Sequence, residues 1–222
     1  VTAALFTATS AMCLTGLIVV DTPVHWSGFG QAVILGLIQV GGLGIMTMAS
    51  LVGLMLAHRI GLKARLNTAA EARAAELGDV RGVVVGVVRL SLVIEAVTAA
   101  ALAIRFAVGY DEPVLRSLWL GVFHSVSAFN NAGFALYSDN VIGFATDPWI
   151  CVPLMVAVIL GGLGFPVLFE VGRRIRRSGS AAREHPRWSL HTRLTVHVTA
   201  SLLLGGFAAV LALEWTRTLQ SF

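Results

Sequence analysis

Apolar residues in this chain gather into long runs separated by short charged stretches. From Gly30 to Ala57 the only strongly polar side chains in the transmembrane stretch are Gln31 and Gln39. Gly82 to Gly109, Trp149 to about Gly172 and Leu194 to Trp215 are three further runs of spanning length, since a helix needs about 20 residues to cross a bilayer. Asp147-Pro148 supplies an N-cap and first-turn pair for the third of them. Two apolar segments are too short to cross: residues 1 to about 13, and Val114 to Asn130, which Pro113 introduces. Each reads as a re-entrant helix followed by an extended return. In lipid every backbone group must be satisfied within the protein, so the pattern predicts an all-α polytopic membrane protein.

The short segments are copies of one another. FTATSAMCLTGL (6–17) and FHSVSAFNNAGFAL (123–136) each place Ser-Ala four residues after a Phe, and a Gly six residues after that Ser. Ser10 and Gly16 thus correspond to Ser127 and Gly133, an offset of 117. GGLG recurs at 41–44 and 161–164, an offset of 120, and three residues of slack fit one loop insertion. The repeating unit is span, re-entrant helix with return leg, span. The organisation read from it is a first unit at 1–57 without its opening span, a loop at 58–81, a complete second unit at 82–172, a basic loop at 173–193, and the opening span of a third unit at 194–222. Because the chain opens on Val1-Thr2-Ala3, already inside a helical run, its start reads as a cut.

Composition agrees: 56% of residues are hydrophobic, 13% are charged and mean hydropathy is +0.82, against about 25% charged in a soluble domain. The net charge of +4 does not indicate nucleic acid, because the basic residues sit in two loops. Five Lys/Arg fall in 58–81 and seven in 173–193, against none in 17–29 and only Arg116 in 110–148. The basic loops are therefore expected to be cytoplasmic, and both re-entrant segments then enter from the outside. Cys13 and Cys151 lie in apolar segments without metal-ligand spacing and read as packing residues.

A re-entrant return leg leaves carbonyl oxygens without partners, and rings of such oxygens can replace the hydration shell of an alkali cation. The preceding helix aims its partially negative C-terminus at the same place, and Gly16 and Gly133 permit positive φ and close approach about an axis. The expected ion filter is Cys13, Leu14, Thr15, Gly16 and Leu17 with Asn130, Asn131, Ala132, Gly133 and Phe134, holding K⁺ by backbone carbonyls. Ser10, Ser127 and Glu95 are the expected supports. Glu95 is an expensive residue within a span, and Arg89, six positions away, lies about 240° around the helix and cannot pair with it. Gly41, Gly42, Gly44, Gly161, Gly162 and Gly164 give helix surfaces that a re-entrant segment can approach closely. Asp21, Asp139 and Asp147 read either as an acidic outer mouth that concentrates cations modestly or as ordinary solvated loop acids. His124 beside Ser125 and Ser127 raises the thought of an intramembrane hydrolase, but neighbours on a helix diverge by about 100°, and no enzyme is expected.

The SAxxxxG segments, each followed by GGLG, resemble the Trk/Ktr/HKT superfamily of cation transporters. QVGGLGIMT, FHSVSAFNNAGF, ILGGLGFPVLFE and WSLHTRLTV, in that family's order, are most similar to its Ktr-type potassium uptake membrane subunit. The resemblance implies four units about one pore conducting K⁺ inward, with one filter glycine per unit; a first-unit glycine, matched by Gly16, goes with K⁺, whereas serine there goes with Na⁺. It also implies a homodimer of pore subunits in the plasma membrane, seated on a cytoplasmic nucleotide-binding ring, with no cofactor held by this chain. Half of a four-repeat, potassium-channel-like pore is in view. Either the sequence is partial or two chains pair to complete a pore, and the missing opening span of the first unit favours a partial sequence.

Overall fold

The computed structural model describes residues 1–61, 72–178 and 188–215, and every regular element among them is helical. The helices are α1 (Thr2–Met12), α2 (Thr22–His25), α3 (Gly28–Gly61), α4 (Ala72–Gly109), α5 (Val114–Phe129), α6 (Pro148–Leu163), α7 (Phe165–Ser178) and α8 (Leu190–Glu214), with a 3₁₀ turn at Ile142–Phe144. α3, α4 and α8 contain windows long and apolar enough to cross a membrane, and α6 with α7 qualifies as a broken span. The protein is a multi-pass membrane protein of all-α class. Helix continues through His58–Gly61 and again from Ala72; the basic residues at 62–71 and 179–187 lie outside the described residues.

The chain divides into two compact bodies, Val1–Gly164 and Phe165–Phe222. In the first, α5 is the centre: it lies against α4, α6 and α3, while α1 packs on α3. α5 is buried along most of its length, from Ser117 through Phe129. Its approach to α4 is close because Gly121 has no side chain; a Cβ there would stand 2.5 Å from the carbonyl oxygen of Ala99. Phe106 on α4, His124 on α5, and Tyr137 and Phe144 beyond it form an aromatic cluster with ring centroids 4.9–6.1 Å apart. Lipid tails are as apolar as these rings, so burial alone does not drive helices together in a bilayer. Close packing and interhelical hydrogen bonds hold α5 in place.

One end of this body is pinned at Asp147. Its Oδ1 accepts from the Trp149 amide at 3.0 Å and so caps α6, while Oδ2 accepts from Arg105 Nε at 2.7 Å and from the Tyr110 hydroxyl at 3.0 Å. Burial pushes the Asp147 carboxyl up, but the Arg105 guanidinium, the Tyr110 hydroxyl and the Trp149 amide outweigh it and hold the group below the usual carboxylate range.

The run expected from Trp149 to Gly172 is not one helix. It breaks at Gly164, whose φ of 80° and ψ of 155° end α6, whereas Gly44 in the first GGLG stays within α3. In the second body, Glu170 on α7 receives the start of α8. Its carboxylate accepts from the Ser189 amide at 2.7 Å, the Ser189 hydroxyl at 2.6 Å and the Thr192 hydroxyl at 2.5 Å. Arg174 lies over the Trp188 ring at 4.7 Å.

Candidate functional site: two return legs that meet

The two re-entrant helices end in the same hydrogen-bonded turn, atom for atom. At the first, Cys13 N donates to Thr9 O, Leu14 N to Ala11 O and Thr15 N to Ser10 O, at 2.9, 3.4 and 3.0 Å. At the second, Asn130 N donates to Val126 O, Asn131 N to Ala128 O and Ala132 N to Ser127 O, at 3.1, 3.0 and 2.8 Å. This is the Schellman termination, which needs a left-handed residue just after the helix. Leu14 (φ 57°) and Asn131 (φ 56°) take that position. Two residues on, Gly16 (φ 69°) and Gly133 (φ 75°) are left-handed again. Every one of these correspondences has the offset of 117 read from the sequence.

The legs meet. A Cβ on Gly16 would stand 2.8 Å from the carbonyl oxygen of Ala132 and 3.4 Å from the Cα of Gly133. Among the described residues, no hydrogen-bond donor serves the carbonyl oxygens of Cys13, Leu14, Thr15, Gly16, Asn130, Asn131 or Ala132. The Gly133 oxygen has one long contact, 3.4 Å from Asn140 Nδ2. The Phe134 oxygen is taken by the Ser127 hydroxyl at 2.6 Å, and Leu17 is exposed beyond the first turn. Asp21 borders a cavity of about 60 Å³ together with Gly16 and Gly133; its Oδ2 accepts from the Ser138 hydroxyl at 2.5 Å.

The equivalent serines brace their legs differently. Ser10 Oγ shares a hydrogen bond of 2.9 Å with Thr15 Oγ1, whereas Ser127 reaches the main chain of its leg. His124 adds a brace that the first unit lacks: Nδ1 lies 2.8 Å from Leu120 O, and Nε2 accepts from the Leu136 amide at 3.3 Å. Together these partners select the neutral tautomer with the proton on Nδ1. The residue equivalent to His124 is Thr7, which is buried with its hydroxyl unpartnered.

Behind the second leg sits Glu95, only 5% exposed. Both its oxygens accept from Gln39 Nε2 at 3.1 Å, and Oε1 also accepts from Asn130 Nδ2 at 3.2 Å. Its backbone carbonyl accepts from the Ser125 hydroxyl at 2.6 Å. The carboxylate thus ties α3 and α4 to the end of α5. Arg89 is exposed and takes no part.

Three of the GGLG glycines, Gly41, Gly42 and Gly161, are seats for the helix ends, while a Cβ on Gly44 or Gly162 would meet nothing within 4 Å. A Cβ on Gly41 would collide with the carbonyl oxygen of Met12, and one on Gly161 with that of Phe129, the last residues of α1 and α5. A Cβ on Gly42 would collide with the Asn130 side chain.

A profile of the cation transport protein family (TrkH) matches residues 1–219. The chain belongs to that family. It is 40% identical to Ktr system potassium uptake protein B of Bacillus subtilis (strain 168) over 215 residues, 96% of this chain and 46% of that protein. It is 37% identical to the protein of the same name from Vibrio alginolyticus over 222 residues, 96% of this chain and 45% of the relative. Potassium/sodium uptake protein NtpJ of Enterococcus hirae is 32% identical over 213 residues, 95% and 45% of the two chains. The chain therefore spans about half the length of these relatives. Family membership sets the hydrolase aside, and geometry agrees, because Ser125 and Ser127 donate to main-chain carbonyls and both nitrogens of His124 are occupied.

Sequence reasoning had singled out Ser10, Ser127, Glu95 and the two legs. The braces His124 and Gln39 were missed in that role. The signal for Gln39 was present, as a strongly polar side chain in an otherwise uncharged span. No signal in the sequence pointed from His124 to the amide of Leu136.

Proposed function

We propose that the two return legs form half of a carbonyl-lined filter through which a monovalent cation, K⁺ in the first place, moves inward. The observation that carries this reading is the meeting of two legs of one build, at Gly16 and Gly133, with seven neighbouring carbonyl oxygens that no donor serves among the described residues. Unpaired carbonyls at membrane depth are costly unless a cation or water faces them, and the negative ends of α1 and α5 add to the attraction. Ser10, Ser127 and Glu95 hold the legs in shape. Two further legs complete the ring. The membrane is the plasma membrane, with the basic stretches at 58–81 and 173–193 cytoplasmic. The pore subunit works as a homodimer on a nucleotide-binding regulatory ring. Transport of Na⁺ beside K⁺ is the second reading, supported by the name of the Enterococcus hirae relative.

The test is ⁸⁶Rb⁺ uptake in a bacterial strain without its own potassium uptake systems, paired with thermal melting of the purified chain in K⁺, Rb⁺ or Na⁺. Uptake, or a higher melting temperature in K⁺ and Rb⁺ than in Na⁺, supports the filter. Neither uptake nor any cation-specific stabilisation overturns it.

A further inference from the structure

The braces Ser10, Ser127 and His124 each act within one unit. Ser10 steadies the first leg through Thr15, while Ser127 and His124 steady the second through Phe134 and Leu136. Gln39 and Glu95 anchor the second leg at its root, on Asn130, before the chain turns. None of these contacts fixes the gap between the legs. The legs cannot grip each other where they meet, because Gly16 and Gly133 have no side chains and leave the main chain free to drift. Among the described residues, no backbone hydrogen bond joins 13–22 to 130–140.

The gap is spanned a few residues further on, where Ser138 Oγ donates to Asp21 Oδ2 at 2.5 Å. Among the described residues this is the one side-chain hydrogen bond between the two stretches. Two observations set it apart from a chance meeting of loop residues. Asp21 stands at the N-cap of α2, where an aspartate ordinarily accepts from first-turn amides, yet it makes no cap bond and its carboxylate turns to the other unit. Asp147, at the N-cap of α6, does cap. The offset of 117 that relates Gly16 to Gly133 also relates Asp21 to Ser138. Equivalent positions of two repeated units come together only close to the axis that relates them, since their separation grows with distance from it. Both pairs therefore lie by one axis, and the cavity of about 60 Å³ is lined by all four residues.

We propose that Asp21 and Ser138 are positioning residues of the filter: their hydrogen bond latches the two return legs and sets the gap across which the cation is held. The inference rests on the filter reading above. Carbonyl rings tell cations apart by their size, or by the number and field of the oxygens they present, and both change when the legs part. Losing the latch should therefore reduce discrimination between K⁺ and Na⁺ without abolishing the binding of either. Simple charge attraction by Asp21 would act otherwise, since an acid beside the filter concentrates both cations alike.

Two variants separate latch from charge. Ser138→Ala removes the donor and leaves the carboxylate, whereas Asp21→Asn removes the charge and leaves an oxygen that can accept from Ser138. Ser138→Thr keeps a hydroxyl and serves as the rescue. Each full chain is purified in detergent and read twice: by the ratio of K⁺ to Na⁺ concentrations that give half the cation-dependent rise in melting temperature, and by hydrogen exchange over 15–20 and 134–140. Ser138→Ala is expected to shrink the preference for K⁺ about fivefold, the equivalent of one hydrogen bond, and to quicken exchange on both legs. Ser138→Thr should recover both readouts, and Asp21→Asn should fall between Ser138→Ala and the parent. A Ser138→Ala chain that matches the parent in either readout overturns the latch while leaving the filter in place. So does a loss of preference in Asp21→Asn alone, which would assign the effect to charge. A parent chain with no cation preference overturns the filter reading and this inference together.

Discussion

Replacing Gly41 by alanine tests whether the first glycine of GGLG is a seat for a helix end or a generic small residue. Two effects oppose each other. Alanine favours the helix by about 1 kcal/mol over glycine. Against this, the new methyl would collide with the carbonyl oxygen of Met12, with the Met12 carbonyl carbon 2.9 Å away. Both obstacles are backbone, and the turn that starts there carries the first return leg, so neither can retreat without moving the leg. Overpacking of this kind costs about 1–3 kcal/mol, and an immovable neighbour puts it at the upper end. The net expectation is a loss of about 2 kcal/mol, or a fall in Tm of about 4–8 °C for a chain of this size. Gly44, in the same motif, has nothing within 4 Å of a Cβ. Gly44→Ala therefore keeps only the propensity term, and its Tm should hold or rise by a few degrees. Gly161→Ala should repeat the loss, because its methyl meets the carbonyl oxygen of Phe129. Tryptophan-fluorescence melting in detergent reads all three. A Gly41→Ala chain melting at or above the parent, or a Gly44→Ala chain losing as much, refutes the reasoning.

Glu95→Gln can keep its oxygen toward Asn130 Nδ2 but then turns its NH₂ group onto the Gln39 Nε2 donor, and an unsatisfied buried polar group costs about 1–3 kcal/mol; the expected result is lower Tm and yield with the K⁺/Na⁺ preference unchanged. A Glu95→Gln chain of parental stability with altered preference would show a direct role in selectivity instead. His124→Leu frees the Leu136 amide, so hydrogen exchange over 134–138 should quicken, and His124→Gln, which keeps an acceptor, should restore part of the protection; equal exchange in all three chains would remove His124 as a brace. Asp147 has its carboxyl held below the usual range. Its contribution is therefore full above the unfolded value of about 3.9 and is lost as pH falls through the lower folded value. Asp147→Asn should melt lower than the parent at neutral pH and show less further loss on acidification, which melting between pH 6 and 3 measures.

The linear pattern alone determined the class and the repeat. A backbone in lipid has no water to bond, so long apolar runs can only be helices, and short ones must turn back where polar surroundings exist. The offset of 117 between hairpins, read from Ser10, Gly16, Ser127 and Gly133, reappears in every hydrogen bond of the two turns, because equal chemistry ends a helix in equal ways. The spacing of glycines also marked where chains approach closely. What touches each glycine was decided only by the fold: one tetrapeptide, GGLG, continues a helix at Gly44 and ends one at Gly164. Tertiary structure likewise joined Gln39, Glu95 and Asn130, which lie 56 and 35 positions from Glu95 along the chain. It also turned His124 onto the return leg and drew Asp147 to Arg105 rather than leaving it free at the outer mouth. Such pairings depend on which helix faces which, and a hydropathy pattern carries length and depth but not azimuth. The same limit explains the left-handed Leu14, which is held there by the hydrogen bonds of its turn, whereas Asn131 is a residue type that takes this conformation readily.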